Sequence, residues 1–165
     1  DLDGEVVAGT LRPTSELDLH LGVYRRYGTG AVVHTHAPMA TALSLVLDEL
    51  PCVHYQLLAL GGTVRVAPYA TFGTPELAES VLAALEGRSA ALMANHGAVT
   101  HATTLDKAVE HALLLEWACG VHQHAAALGT PRVLDEQQQI AVIEAAIARD
   151  YGTTHPVPPA QEGQR

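Results

Sequence analysis

The chain has 165 residues, of which 48% are hydrophobic and 16% charged, and 9 Lys+Arg against 18 Asp+Glu leave it at −9. That balance argues against a basic nucleic-acid-binding face, and no apolar run approaches the ~18–20 residues of a membrane span. The length suits one domain with a sizeable core, while two isolated cysteines, Cys52 and Cys119, argue against a disulfide framework and for the cytoplasm.

Residues 1–13 are turn-rich and read as extended. A helix is expected over 14–27, with Ser15 as its cap, an apolar stripe of Leu17, Leu21 and Tyr24, and a stop at Gly28-Thr29-Gly30. A strand follows over 31–36, then a helix over 37–50 ended by Pro51. Residues 53–62 are ambiguous and 63–69 alternate as a strand. Thr74 followed by Pro75 opens a helix over 74–87. The apolar run 90–97 reads as a buried strand that breaks at Asn95-His96-Gly97. A long helix over 104–129 and a last one over 136–152 complete the domain, expected to span 1–152. The Pro-rich polar tail 153–165 is expected to be disordered. No basic-then-apolar signal segment opens the chain, whose first residue is Asp rather than Met. Strands alternate with helices, so the fold class is a layered α/β domain.

Ten histidines are the unusual feature. In "AVVHTHAP" (31–38), His34 and His36 stand two residues apart on the predicted strand, hence on the same face and about 6.5–7 Å apart along it. Two imidazoles so placed are able to converge on one cation. His122 and His124 have the same spacing on a predicted helix, where the two side chains diverge by about 200° and cannot chelate. His96 lies where a strand opens into a turn, a common place for functional side chains. Three neutral imidazoles would leave a fourth zinc position open, as in a catalytic site. Spacing alone leaves two readings open, a metal centre or polar residues at strand ends. His101, His111, His122, His124 and His155 lack partners at ligand spacing and read as solvent-facing or locally hydrogen-bonded. His20, one turn beyond Glu16, reads as a surface residue.

The stretches "TSE" (14–16), "AVVHTHAP" (31–38), "VHYQLLALGG" (53–62), "APYATFGTPEL" (67–77), "ANHG" (94–97) and "TLDKA" (104–108) occur in an order and spacing that resemble the class II aldolase/adducin family. The likeness covers most of residues 1–130. It implies a three-layer α/β/α domain with a mixed, mostly antiparallel central sheet. It further implies His34, His36 and His96 as metal ligands and Glu16 as catalytic acid/base. Thr14 and Ser15 fall on its phosphate contacts, although both also suit a plain helix cap. Tyr55 matches a tyrosine that delivers a proton to the aldehyde oxygen, and Tyr151, before Gly152, matches one supplied by a neighbouring subunit.

The implied cofactor is Zn²⁺, with Mn²⁺, Co²⁺ or Fe²⁺ as alternatives for the same ligands. The implied reaction is reversible cleavage of a phosphorylated ketose of the fuculose-1-phosphate kind to dihydroxyacetone phosphate and an aldehyde. The implied assembly is a homotetramer with active sites between subunits. Members of the family also carry an N-terminal portion upstream of "DLDG" that completes the phosphate pocket. A ribulose-phosphate 4-epimerase and a non-catalytic adducin-type scaffold are the alternative readings. A scaffold is expected to have lost metal ligands, whereas the triad and the Glu are present here.

Overall fold

The computed structural model describes residues 1–151, so the expected disordered tail lies outside the described residues. The chain divides into two compact units, Asp1–Leu134 and the segment from Asp135 onward.

In the first unit five strands form one sheet in the order β1-β5-β4-β3-β2. They are β1 (Ala31–Thr35), β2 (Glu49–Leu50), β3 (Val64–Ala67), β4 (Ala90–Met93) and β5 (Gly97–Ala102). Only the β3–β4 pair is parallel, and the other three pairs are antiparallel, which matches the expected mixed sheet. Helices α1 (Leu17–Tyr27) and α3 (Pro75–Ala84) cover one face through Leu19, Val23, Leu77 and Val81. The other face is covered by α2 (Pro38–Ser44), a 3₁₀ helix (Tyr55–Leu60) and α4 (Leu105–Leu128), through Ala40, Leu43, Leu57, Leu115 and Cys119. Helices on both faces make this a three-layer α/β/α unit.

The helix signals act locally. The Thr74 side chain accepts from the N–H of Leu77, capping its helix as expected, and Thr104 caps α4 in the same way by accepting from the N–H of Lys107. Gly28 ends α1 with a φ of 58°, a left-handed conformation that glycine adopts without a Cβ clash.

Three expectations are corrected. α1 begins at Leu17 rather than 14, and Ser15 does not cap it. Instead the Thr14 hydroxyl accepts from the Glu16 N–H at 3.3 Å, closing a turn before the helix. The helix expected over 37–50 stops at Ser44, because Glu49–Leu50 pairs with Val64–Arg65 and extends the sheet. Residues 97–102, assigned no element from the sequence, form β5, the strand between β1 and β4. Its first four residues are all buried, so the alternation that marks a half-buried strand is missing. The hydroxyl of buried Thr100 donates to the Ala108 carbonyl at 2.8 Å, which makes a polar residue tolerable there.

The second unit contains α5 (Glu136–Ala148), opened by a capping box between Asp135 and Gln138. It ends four residues short of the expected 152.

Candidate metal centre

β1 and β5 run antiparallel with His34 opposite Val99 and Thr35 opposite Ala98. His34 thus stands at the end of β1, His36 one residue beyond that end, and His96 directly before β5. A three-residue turn, Ala94-Asn95-His96, links β4 to β5 and closes with the His96 N–H donating to the Met93 carbonyl at 3.1 Å. Asn95 has a φ of 57°, in the left-handed region where asparagine is among the more tolerant residues. Gly97 permits the close approach: a Cβ there would lie 2.3 Å from the Thr35 carbonyl oxygen and 3.0 Å from the His36 ring. Glu16 enters from the start of α1, buried at 6% exposure.

These four side chains form one cluster, their ligand atoms all within 4.8 Å of one another. His34 Nε2 is 3.0 Å from His36 Nε2 and 2.9 Å from Glu16 Oε2. Glu16 Oε1 is buried and 3.4 Å from His96 Nε2, and it has no hydrogen-bond partner among the described residues. A carbonyl only accepts, so the 2.9 Å contact between His34 Nδ1 and the Ala98 oxygen places the proton on Nδ1. In neutral His34 the Nε2 lone pair then faces another imidazole nitrogen and a carboxylate oxygen. The contact with the carboxylate oxygen is repulsive unless a cation or a proton lies between the two atoms. A tetrahedral cation with bonds of about 2.0–2.1 Å spaces its ligands by roughly 3.3 Å, close to the 2.9, 3.0 and 3.4 Å contacts within a cluster whose atoms span up to 4.8 Å. The donor set fits a divalent metal, and the Ala98 carbonyl orients His34 as an outer partner orients a ligand.

Burial pulls His96 below the ordinary histidine range, opposed by the Glu16 carboxylate and helped by His34 and His36. His20 is half-buried rather than on the surface, and burial and then His34 lower it, while Glu16 acts to raise it.

A cleft of about 410 Å³ opens over the cluster, lined by Ser15, Glu16, His36, Tyr69, Ala70, Phe72, Asn95 and His96. Ser15 is on the wall, and exposed Thr14 is tied to the Glu16 backbone. Tyr55 opens the 3₁₀ helix with its ring 4.6 Å from that of His54, and it is not among the described residues that line the cleft. Tyr151, just beyond α5 in the second unit, is 67% exposed, and its N–H donates to the Ala146 carbonyl. The sequence reading assigned nothing to Tyr69 and Phe72. The available signal was two aromatics in a short turn between β3 and α3, left solvent-exposed.

The other histidines behave mostly as expected. His101 contacts Thr29 Oγ1 and the Arg88 carbonyl, His111 Nδ1 donates to the His101 carbonyl, and His124 Nδ1 to that of Gly120. His122 is the exception: it is buried, and its Nδ1 has no hydrogen-bond partner among the described residues. His155 lies outside them.

A family model described as Class II Aldolase and Adducin N-terminal domain matches residues 1–123. The chain belongs to the class II aldolase and adducin family. It is 40% identical over 139 residues to the 5-deoxy-D-ribulose 1-phosphate aldolase of Bacillus thuringiensis, a match that covers 84% of this chain and 65% of that relative. To the 5-methylthioribulose-1-phosphate/5-deoxyribulose-1-phosphate aldolase of Rhodospirillum rubrum it is 36% identical, covering 97% and 73%. To the L-fuculose phosphate aldolase of Escherichia coli it is 37% identical, covering 87% and 67%. A solved L-fuculose 1-phosphate aldolase superposes with a TM-score of 0.83 at 36% identity, covering 88% of this chain and 69% of that one. The chain thus spans about two thirds of the length of these relatives. Relatives named aldolases are lyases, and the family's fold is the one described above.

Proposed function

We propose that this chain carries the metal-dependent aldolase site of an enzyme that reversibly cleaves a ketose 1-phosphate to dihydroxyacetone phosphate and an aldehyde. The observation that carries the reading is the convergence of Glu16, His34, His36 and His96 in one cluster, with Glu16, His36 and His96 lining the cleft above it. The three imidazoles would hold a divalent metal, zinc by donor preference, with manganese, cobalt or iron as the alternatives. When bound, such a cation supplies Lewis-acid polarisation of the carbonyl beside the breaking bond.

The residues divide the remaining work. Cleavage between C3 and C4 needs the proton of the C4 hydroxyl removed and, once the bonding pair has moved toward C2, a proton returned to C3. Glu16 is the group for C3: it lines the cleft, and its buried Oε1 has no hydrogen-bond partner among the described residues. General acid–base help of this kind is typically worth ~10²–10⁴-fold. Tyr55 and Tyr151 are the phenols proposed for the C4 oxygen. Thr14 and Ser15, just ahead of α1, are the hydroxyls proposed to receive the phosphate.

Two features support the wider reading. On α4 the apolar residues Leu105, Val109, Leu113 and Trp117, each four apart, are 62%, 42%, 67% and 44% exposed, a stripe suited to burial against other copies in a homotetramer. Both cysteines are free thiols, which suits the cytoplasm, as does a phosphorylated substrate.

The test is Glu16→Gln, assayed as release of dihydroxyacetone phosphate from fuculose 1-phosphate and from 5-deoxyribulose 1-phosphate, in the full-length protein. Gln keeps the size of Glu but cannot exchange the proton, so turnover falls on the order of 10²-fold or more. Near-wild-type turnover by the variant overturns the mechanism. Inversion at C4 without net cleavage would assign the site to an epimerase.

A further inference from the structure

We propose that Glu116, on α4, is a positioning residue that fixes His36 in the metal centre by clamping the start of α2. The inference rests on the reading of the four-residue cluster as a metal site. It begins from an asymmetry among the three imidazoles. His34 is oriented by its own Nδ1 contact to the Ala98 carbonyl, and His96 is held inside the closed turn between β4 and β5. His36 has neither support. It stands one residue past the end of β1, is exposed, and its Nδ1 has no hydrogen-bond partner among the described residues.

What fixes the His36 backbone on its far side is α2, which begins at Pro38. The cap residue of that helix is Ala37, which has no side-chain acceptor to offer. The two free N–H groups of Met39 and Ala40 instead donate to Glu116, at 2.9 Å to Oε1 and 2.8 Å to Oε2. A two-pronged carboxylate on backbone N–H groups is a charge-assisted contact, stronger than an ordinary cap and more exacting in direction. Glu116 itself is braced, because its neighbours on α4, Leu115, Ala118 and Cys119, are buried in the core beneath the sheet. The chain from Thr35 to Pro38 is therefore pinned at one end by the sheet and at the other by Glu116. His36 is in the pinned span.

The test is titration of metal-stripped full-length protein with Co²⁺, followed by its visible absorption, on the wild type, Glu116→Ala, Glu116→Gln and Thr104→Ala. Removing a partner that orients a ligand typically costs 10–100-fold in metal affinity. Glu116→Ala is expected to lose affinity within about that range and, at saturating Co²⁺, to show an altered absorption band because one ligand is misplaced. Glu116→Gln keeps one carbonyl acceptor and is expected to fall between, and it decides the question alone if the alanine variant does not fold. Thr104→Ala removes the cap of α4 without touching α2, so it is expected to lose some thermal stability and to bind Co²⁺ as the wild type does. Wild-type affinity and an unchanged band in the Glu116 variants overturn the positioning role. A wild type that takes up no Co²⁺ overturns the metal site itself, an outcome distinct from the first.

Discussion

The same three-residue pattern occurs twice in this chain, and only one copy gathers its histidines. At the end of β1, His34 and His36, the latter one residue past the strand, bring their Nε2 atoms to 3.0 Å, with the rings 4.8 Å apart and edge to face. On α4, His122 turns into the core and His124 turns out to bond the Gly120 carbonyl of its own helix. A helix advances about 100° per residue, so positions i and i+2 lie on nearly opposite sides. A strand returns to the same face every second residue. Ligand spacing thus has meaning only together with the element that carries it.

The largest test of that contrast is metal retention. We expect His96→Ala and His36→Ala to lose metal affinity on the order of 10²-fold or more, since direct ligands matter more than the outer partners whose loss costs 10–100-fold. His122→Ala should keep the wild-type stoichiometry after dialysis, measured by atomic emission. Full retention in His96→Ala would dissolve the distinction between the two pairs.

How far the contrast was legible follows from the same physics. Caps and turn residues are local chemistry, so Thr74 and Gly28 marked helix ends correctly from sequence. The strand-borne histidines were legible because period 2 is unambiguous at a chain position already rich in β-branched residues. What failed was non-local. The end of α2 is decided by Glu49–Leu50 finding Val64–Arg65, and β5 exists because β1 and β4 flank it on both sides. The residues that complete the centre were hidden for the same reason. Tyr69 and Phe72 reach the cleft only through the path of the loop after β3, and Glu116 meets α2 from about eighty positions away along the chain.

A middle-sized test separates the two settings by adding one methyl group to each. In Gly97→Ala the new carbon would sit 2.3 Å from the Thr35 carbonyl oxygen, which forces the end of β1 and its histidines to shift. Overpacking of this kind costs about 1–3 kcal/mol, and weakened metal binding should accompany it. In Gly120→Ala, within α4, the nearest atom is Met39 Cγ at 3.6 Å, an ordinary contact. Replacing an interior helical glycine by alanine gains roughly 0.5–1 kcal/mol. Thermal denaturation should show opposite signs, and a neutral Gly97→Ala would mean that β1 and the turn before β5 are not held tightly.

The smallest expected effect concerns His122, and it asks whether the helical pair has any polar role. Its side chain is 8% exposed, and its Nδ1 finds no partner among the described residues. A buried polar atom without a hydrogen bond costs about 1–3 kcal/mol, and an apolar side chain of similar size removes that cost while giving back some packing. Leucine is close in volume and is a stronger helix former than histidine. His122→Leu should therefore raise the unfolding free energy by up to about 1 kcal/mol, read from denaturant midpoints at unchanged slope. Metal content should not move. The corresponding change on β1, His34→Leu, removes a donor from the cluster and a contact to Ala98, so it should lose the metal. If His122→Leu is instead destabilised by more than about 1 kcal/mol, the Nδ1 atom is satisfied in solution and the helical pair has a polar function of its own.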